Sequence, residues 1–110
     1  MDESFIAKRI AQLRLKKGVS ARSMSLSIGQ NPVYINNIES GKSLPSIMGL
    51  FYICDYLQIT PMEFFDEENQ NPTKLRQVIS SLKKLNDEQL KLVIGIINGL
   101  TKESDTKPQH

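Results

Sequence analysis

The chain has 110 residues, yet it holds one cysteine, Cys54, one histidine, His110, and no tryptophan. One cysteine cannot build an internal disulfide framework or a multi-cysteine metal site. Cys54 therefore reads as a core thiol. A single histidine at the last position leaves no His-based triad and no zinc centre. The acids Glu63, Asp66, Glu67 and Glu68 lack the spacing of a calcium loop and any base partner, so they read as solvated linker. No acid–base or nucleophile constellation remains, and binding without a cofactor is expected rather than catalysis. Long apolar runs are missing too. The longest are a few residues, against the ~20 that cross a bilayer. No basic stretch leads into an apolar one at the amino terminus, as a signal peptide requires. A cytoplasmic protein that does not engage a membrane is expected.

Excess charge of one sign is scarce. The net charge is +2, unevenly spread. Residues 1–60 carry seven Lys/Arg against four Asp/Glu, residues 61–71 four acids and no base, and residues 72–110 seven bases against four acids. Two mildly basic segments thus flank an acidic joint, a balance that permits a nucleic-acid partner without requiring one. Hydrophobic residues at 39% and charged residues at 24% are ordinary for a folded domain.

Breakers divide the chain at Gly18-Val19-Ser20, Gly29-Gln30-Asn31-Pro32, Gly41-Lys42-Ser43-Leu44-Pro45, Thr60-Pro61 and Asn71-Pro72. Between them apolar residues recur at helical spacing and no segment alternates with period two, which predicts an all-α fold. The first helix is expected from Phe5 to Lys17, with Ile6, Ile10 and Leu13 inward and Lys8, Arg9, Lys16 and Lys17 off that face. Ser20 caps a second helix carrying Met24 and Ile28. Asn31 and Pro32 open a third, ending at Glu39, with Ile35 and Ile38 inward. A fourth runs from Ser46 to Leu57 with Ile47, Leu50, Phe51, Cys54 and Leu57 inward. Gly49 inside it costs ~1 kcal/mol relative to Ala, which close packing would explain. Thr60-Pro61-Met62-Glu63 is a capping box that starts a short fifth helix ending in Phe64 and Phe65.

Two short helices around a Gly-containing turn form the layout of a helix-turn-helix. The wider pattern is more specific. Ile6, Ile10, Leu13-Arg14, Gly18, Ser20, Met24-Ser25, Ile28-Gly29, Ile35, Ile38-Glu39, Gly41-Lys42, Pro45-Ser46, Leu50, Leu57 and Thr60-Pro61-Met62-Glu63-Phe64-Phe65 resemble the Cro and phage-repressor type (Xre) family of helix-turn-helix DNA-binding domains. The resemblance implies a compact five-helix domain over residues 1–65. Its third helix, Pro32 to Glu39, would enter the major groove of double-stranded DNA. Val33, Asn36 and Asn37 would read bases, with Tyr34 and Gln30 as secondary contacts. Asn pairs with adenine and Val touches a thymine methyl. Ser20, Arg22, Ser23, Lys42 and Ser43 would hold phosphates, where backbone donors and the helix dipole favour an anion. Arg14 and Glu39 would form an architectural ion pair. Three departures stand out. Ala21 replaces the usual Gln after the cap of helix two, Gln30 replaces an apolar turn residue, and Ser25 replaces the usual Ala that faces helix three. The third helix also has no Arg or Lys, the commonest guanine readers.

Residues 66–71 read as an acidic linker and 72–101 as a helical hairpin. One helix carries Leu75, Val78, Ile79, Leu82 and Leu85. After the cap Asn86-Asp87-Glu88-Gln89 comes another, with Leu90, Leu92, Val93, Ile94, Ile96, Ile97 and Leu100. Those seven cover more than one helix face, so more than one partner surface is needed. Leu90, Val93, Ile94, Ile97 and Leu100 are the candidate homodimer contacts. The alternatives are packing on the chain's own domain and docking of a regulatory protein. Residues 102–110 hold no apolar side chain and read as a disordered tail. The expected function is a dimeric regulator, a repressor on family grounds, on a near-palindromic operator. The alternative is a protein-interaction module, such as an antitoxin or anti-repressor partner, acting through its carboxy-terminal helices.

Overall fold

The computed structural model describes residues 2–106, with side chains described as far as Lys102. Among the described residues there are seven helices and no strand. The helix α1 spans Glu3–Lys17. It starts two residues before the expected Phe5, because the Asp2 carboxylate accepts the Ser4 amide at 2.9 Å and caps the first turn. Gly18, at φ 79°, ends it. In that left-handed conformation its amide reaches back to the Arg14 and Leu15 carbonyls.

The helix α2 is Ala21–Ser27, α3 Tyr34–Glu39, α4 Ile47–Leu57 and α5 Pro61–Phe65. Ser20 and Ser46 cap α2 and α4 through their hydroxyls. Thr60 and Glu63 close the capping box of α5 from both sides. The α-helical part of the third helix begins at Tyr34, later than expected. Asn31 does cap its approach, accepting the Val33 amide at 3.0 Å, but Pro32 and Val33 lie in a tight turn closed by Tyr34 N–H on the Asn31 carbonyl.

Ile10 and Leu13 of α1, Met24 of α2, Ile35 and Ile38 of α3, Ile53, Cys54 and Leu57 of α4, Ile59, and Phe64 of α5 form one buried core. The inward face of α4 differs from the expected one. Ile47 is 73% exposed and Phe51 42%, while Gly49 and Ile53 are buried. The helix is turned so that the bare backbone at Gly49, rather than a bulky side chain, meets Tyr34 of α3.

Arg9 overturns a second expectation. Its helical position puts it off the apolar face, yet it is 2% exposed. Its Nε donates to the Phe64 carbonyl at 2.6 Å. Its Nη2 donates to the carbonyls of Glu63, Asp66 and Asn69, and Nη1 to Gln12 Oε1. The guanidinium thus adds donors to the carbonyls of Glu63 and Phe64 at the end of α5 and to those of Asp66 and Asn69 just beyond it. Phe5 stacks on Phe65 at 5.9 Å and meets Phe64 edge-on at 6.3 Å, closing the same corner.

The chain divides into two compact units after Leu75. Residues 66–71, expected as a linker, lie in the first unit. The helix α6, Pro72–Leu82, begins there and continues into the second, which also holds α7, Asp87–Thr106. Asn86 and Gln89 cap α7 reciprocally, side chain to amide in both directions. The helix runs past the end expected at residue 101, so residues 102–106 of the expected tail are helical; 107–110 lie outside the described residues. Among the described residues of α6 and α7, Pro72 alone is buried. No helix of the described residues is long and apolar enough to cross a membrane.

Candidate nucleic-acid interface

Helical spacing separates α3 into two sides. Ile35 and Ile38 are 0% and 1% exposed and seat the helix on the core. Val33, Asn36 and Asn37 recur at i, i+3 and i+4 and share the other side. Val33 is 53% exposed, Asn36 is exposed and Asn37 half-buried. The Asn37 carbonyl accepts the Lys42 amide at 2.9 Å and the Ser43 amide at 3.2 Å, so the loop after α3 folds back onto that residue.

Tyr34 is placed differently from those three. It packs against the core, and a β-carbon at Gly49 would sit 2.5 Å from its hydroxyl oxygen. Burial pushes its phenol pKa upward. One residue beyond Val33 is a turn of about 100° around the helix, which carries Tyr34 toward the Ile38 side. Gln30 is half-buried in the turn, its backbone N–H donating to the Ser25 backbone carbonyl at 2.9 Å.

Among the expected phosphate contacts, Ser20, Arg22, Ser23, Lys42 and Ser43 are all exposed. The Ser20 hydroxyl accepts the Ser23 amide at 3.0 Å as the cap of α2. The backbone donors of Lys42 and Ser43 are directed inside the domain, to Asn37. An anion at that loop would therefore meet the Lys42 ammonium and the Ser43 hydroxyl rather than those amides.

The far end of α3 is tied to α1. Arg14 Nε and Nη2 donate to the two carboxylate oxygens of Glu39 at 2.7 and 3.0 Å, a forked pair with both side chains about one-seventh exposed. Arg14 Nη1 also donates to the Val19 carbonyl, just before α2. The bond to Glu39 raises the Arg14 pKa, so its charge is held. One guanidinium thus joins α1, the approach to α2 and the end of α3.

A family model described as helix-turn-helix matches residues 10–64. The chain belongs to this helix-turn-helix family, of the Cro and phage-repressor type. No curated protein and no solved structure matches it. The matched span runs from Ile10 in α1 to Phe64 in α5 and is half of the chain. It makes the protein a DNA-binding transcription regulator of the helix-turn-helix class. The helices α6 and α7 lie beyond the match.

Two residues of this helix-turn-helix domain have tasks that sequence reasoning missed. Arg9 gave no signal, because its burial depends on carbonyls 54 to 60 residues away. Ser25 did give one, as a hydroxyl where the family usually has a methyl. Its Oγ is enclosed and bonded to both α2 and α3.

Proposed function

We propose that the chain is a sequence-specific repressor that binds a near-palindromic operator as a homodimer, with α3 in the major groove. The observation that carries this reading is the two-sidedness of α3. Apolar side chains hold it from behind, and two asparagines and a valine remain on the other side. An asparagine amide matches the donor–acceptor edge of adenine, and a valine suits a thymine methyl. The reading makes Val33, Asn36 and Asn37 the base readers and Gln30 a neighbouring contact. Tyr34 supports from behind. Arg22 and Lys42, with the hydroxyls of Ser20, Ser23 and Ser43, anchor the phosphates and set the salt dependence.

A domain with one short reading helix covers few base pairs, and two copies on half-sites ~34 Å apart supply the missing specificity. The exposed apolar side of α7 supports that pairing. Ile94, Ile97 and Leu100 are 55%, 47% and 62% exposed, with Leu90 and Val93 half-buried beside them. A bound dimer would act by occupancy, blocking polymerase. The same exposed side also favours a second reading, in which α7 docks a different protein that switches DNA binding.

A gel shift with the DNA upstream of the chain's own gene tests the proposal. A shift that unlabelled specific duplex competes away and scrambled duplex does not is the expected result. Equal competition by both would leave the protein-docking reading in its place.

A further inference from the structure

The hydroxyl of Ser25 is wholly enclosed where α2 crosses α3. It donates to the Ala21 carbonyl, one turn back in its own helix, at 2.8 Å. It accepts the Ile35 amide of the next helix at 2.9 Å. The first amides of any helix lack partners within it, and the preceding residue's side chain commonly supplies one. Val33 holds that preceding place in α3 and makes no such bond. Asn31 takes the amides of Val33 and Tyr34. The Ile35 amide is taken instead by a side chain of α2.

In a regular helix starting at Pro32, the Ile35 amide would bond to the carbonyl four residues back, that of Asn31. Ser25 diverts it. The chain therefore enters α3 through a tight turn, and the start of α3 is fixed against α2 by a hydrogen bond as well as by packing. The Ile35 amide has an acceptor in either arrangement, the Ser25 hydroxyl in the tight turn and the Asn31 carbonyl in the regular start, so the Ser25 hydroxyl is what makes the tight turn available without an unpaired buried amide.

We infer that Ser25 is a positioning residue for base reading: it caps α3 from α2 and so sets how Val33, Asn36 and Asn37 are presented to the duplex. The inference rests on the proposed role of that face. Ser25 itself touches no base, being fully buried. Removing its hydroxyl frees the Ile35 amide to bond to Asn31, which rewinds the start of α3 and moves Val33.

The test uses the full chain and the duplex that the wild type selects from a randomised pool. Affinity is measured for that duplex and for a scrambled one, well below the melting temperature. Ser25→Ala should lose about tenfold of the ratio between the two, the worth of one base contact, with scrambled-duplex affinity and its salt slope unchanged. The Ile35 amide should exchange with solvent at a different rate. Ser25→Cys, with a weaker acceptor on a somewhat larger side chain, should fall between. Ile59→Val, a core truncation outside the motif, should lower the melting temperature and leave the ratio alone. A Ser25→Ala chain with wild-type discrimination overturns the positioning role and leaves the proposed function standing. So does an equal loss in Ile59→Val. A wild type that prefers no duplex overturns the proposed function itself.

Discussion

Gly49→Ala should destabilise the domain, although helix propensity alone says the opposite. Ala is favoured over Gly inside a helix by ~1 kcal/mol. Gly49 is buried in α4, and its amide is the one bonded to the Ser46 cap. A β-carbon there would lie 2.5 Å from the Tyr34 hydroxyl oxygen, 3.2 Å from Ser46 Oγ and 3.6 Å from Pro45. The first distance falls well inside van der Waals contact, so Tyr34 must move. Tyr34 is a rigid ring packed against the core at the start of α3, and overpacking of that kind costs about 1–3 kcal/mol. The cost cancels or exceeds the propensity gain, giving a net loss of about 0–2 kcal/mol. Tyr34→Phe removes the atom in the way. In that background Gly49→Ala should be neutral or should stabilise by up to ~1 kcal/mol, a coupling of about 1–3 kcal/mol between the two sites. Urea unfolding of the four chains, at constant slope, measures the cycle. If Gly49→Ala stabilises equally with Tyr and with Phe at position 34, the close approach of α3 and α4 is not what demands the glycine.

Arg9→Met keeps the bulk and loses the charge, taking a donor from the carbonyls of Glu63, Phe64, Asp66 and Asn69, of which Glu63 and Asp66 keep a backbone amide. Each buried acceptor left unpaired costs about 1–3 kcal/mol, so losing the donor to Phe64 and Asn69 should cost about 2–6 kcal/mol and lower the melting temperature by roughly 8 °C or more; a loss below ~1 kcal/mol would mean water replaces the guanidinium. Burial pushes the Cys54 thiol up to about 11. The unfolded thiol, with a pKa near ~8.5, gives up its proton first. The Cys54 contribution to stability is therefore whole below about pH 8.5 and is lost as pH rises from there towards 11. Cys54→Ser should flatten that alkaline decline; the same decline in both chains would refute it. Iodoacetamide at pH 8 should label Cys54 only after denaturation, and rapid labelling of the folded chain would contradict its burial. Glu39→Gln should cost about 3 kcal/mol by leaving Arg14 partly buried without its carboxylate; thermal melts check it, and an unchanged melting temperature would reduce the pair to a surface contact.

The helices of the first unit were legible because their ends are local chemistry. Gly18 stops α1, Ser20 starts α2, and the Thr60–Glu63 box starts α5, each through atoms within a few residues. The rotation of α4 was not legible. Ile47 and Ile53 are equally apolar in sequence, and only the meeting of Gly49 with Tyr34 from another helix selects between them. Arg9 was hidden for the same reason, since a charged residue is buried only where the fold gathers acceptors around it. Asn31 marked the approach to α3 as a cap. The diversion of the Ile35 amide to Ser25 depends on a crossing that periodicity does not encode. The apolar excess of α7 was plain in its sequence, and Ile94, Ile97 and Leu100 stand exposed on the helix.

The most direct measurement compares Asn36→Ala with Lys42→Ala on the selected duplex and on its single-base variants. If the outer side of α3 reads bases, Asn36→Ala loses about 1–3 kcal/mol of discrimination at one base-pair position and little elsewhere, whereas Lys42→Ala weakens every duplex alike and flattens the salt slope by about one. If Asn36→Ala keeps the wild-type preference at every position, α3 does not read the duplex through that side.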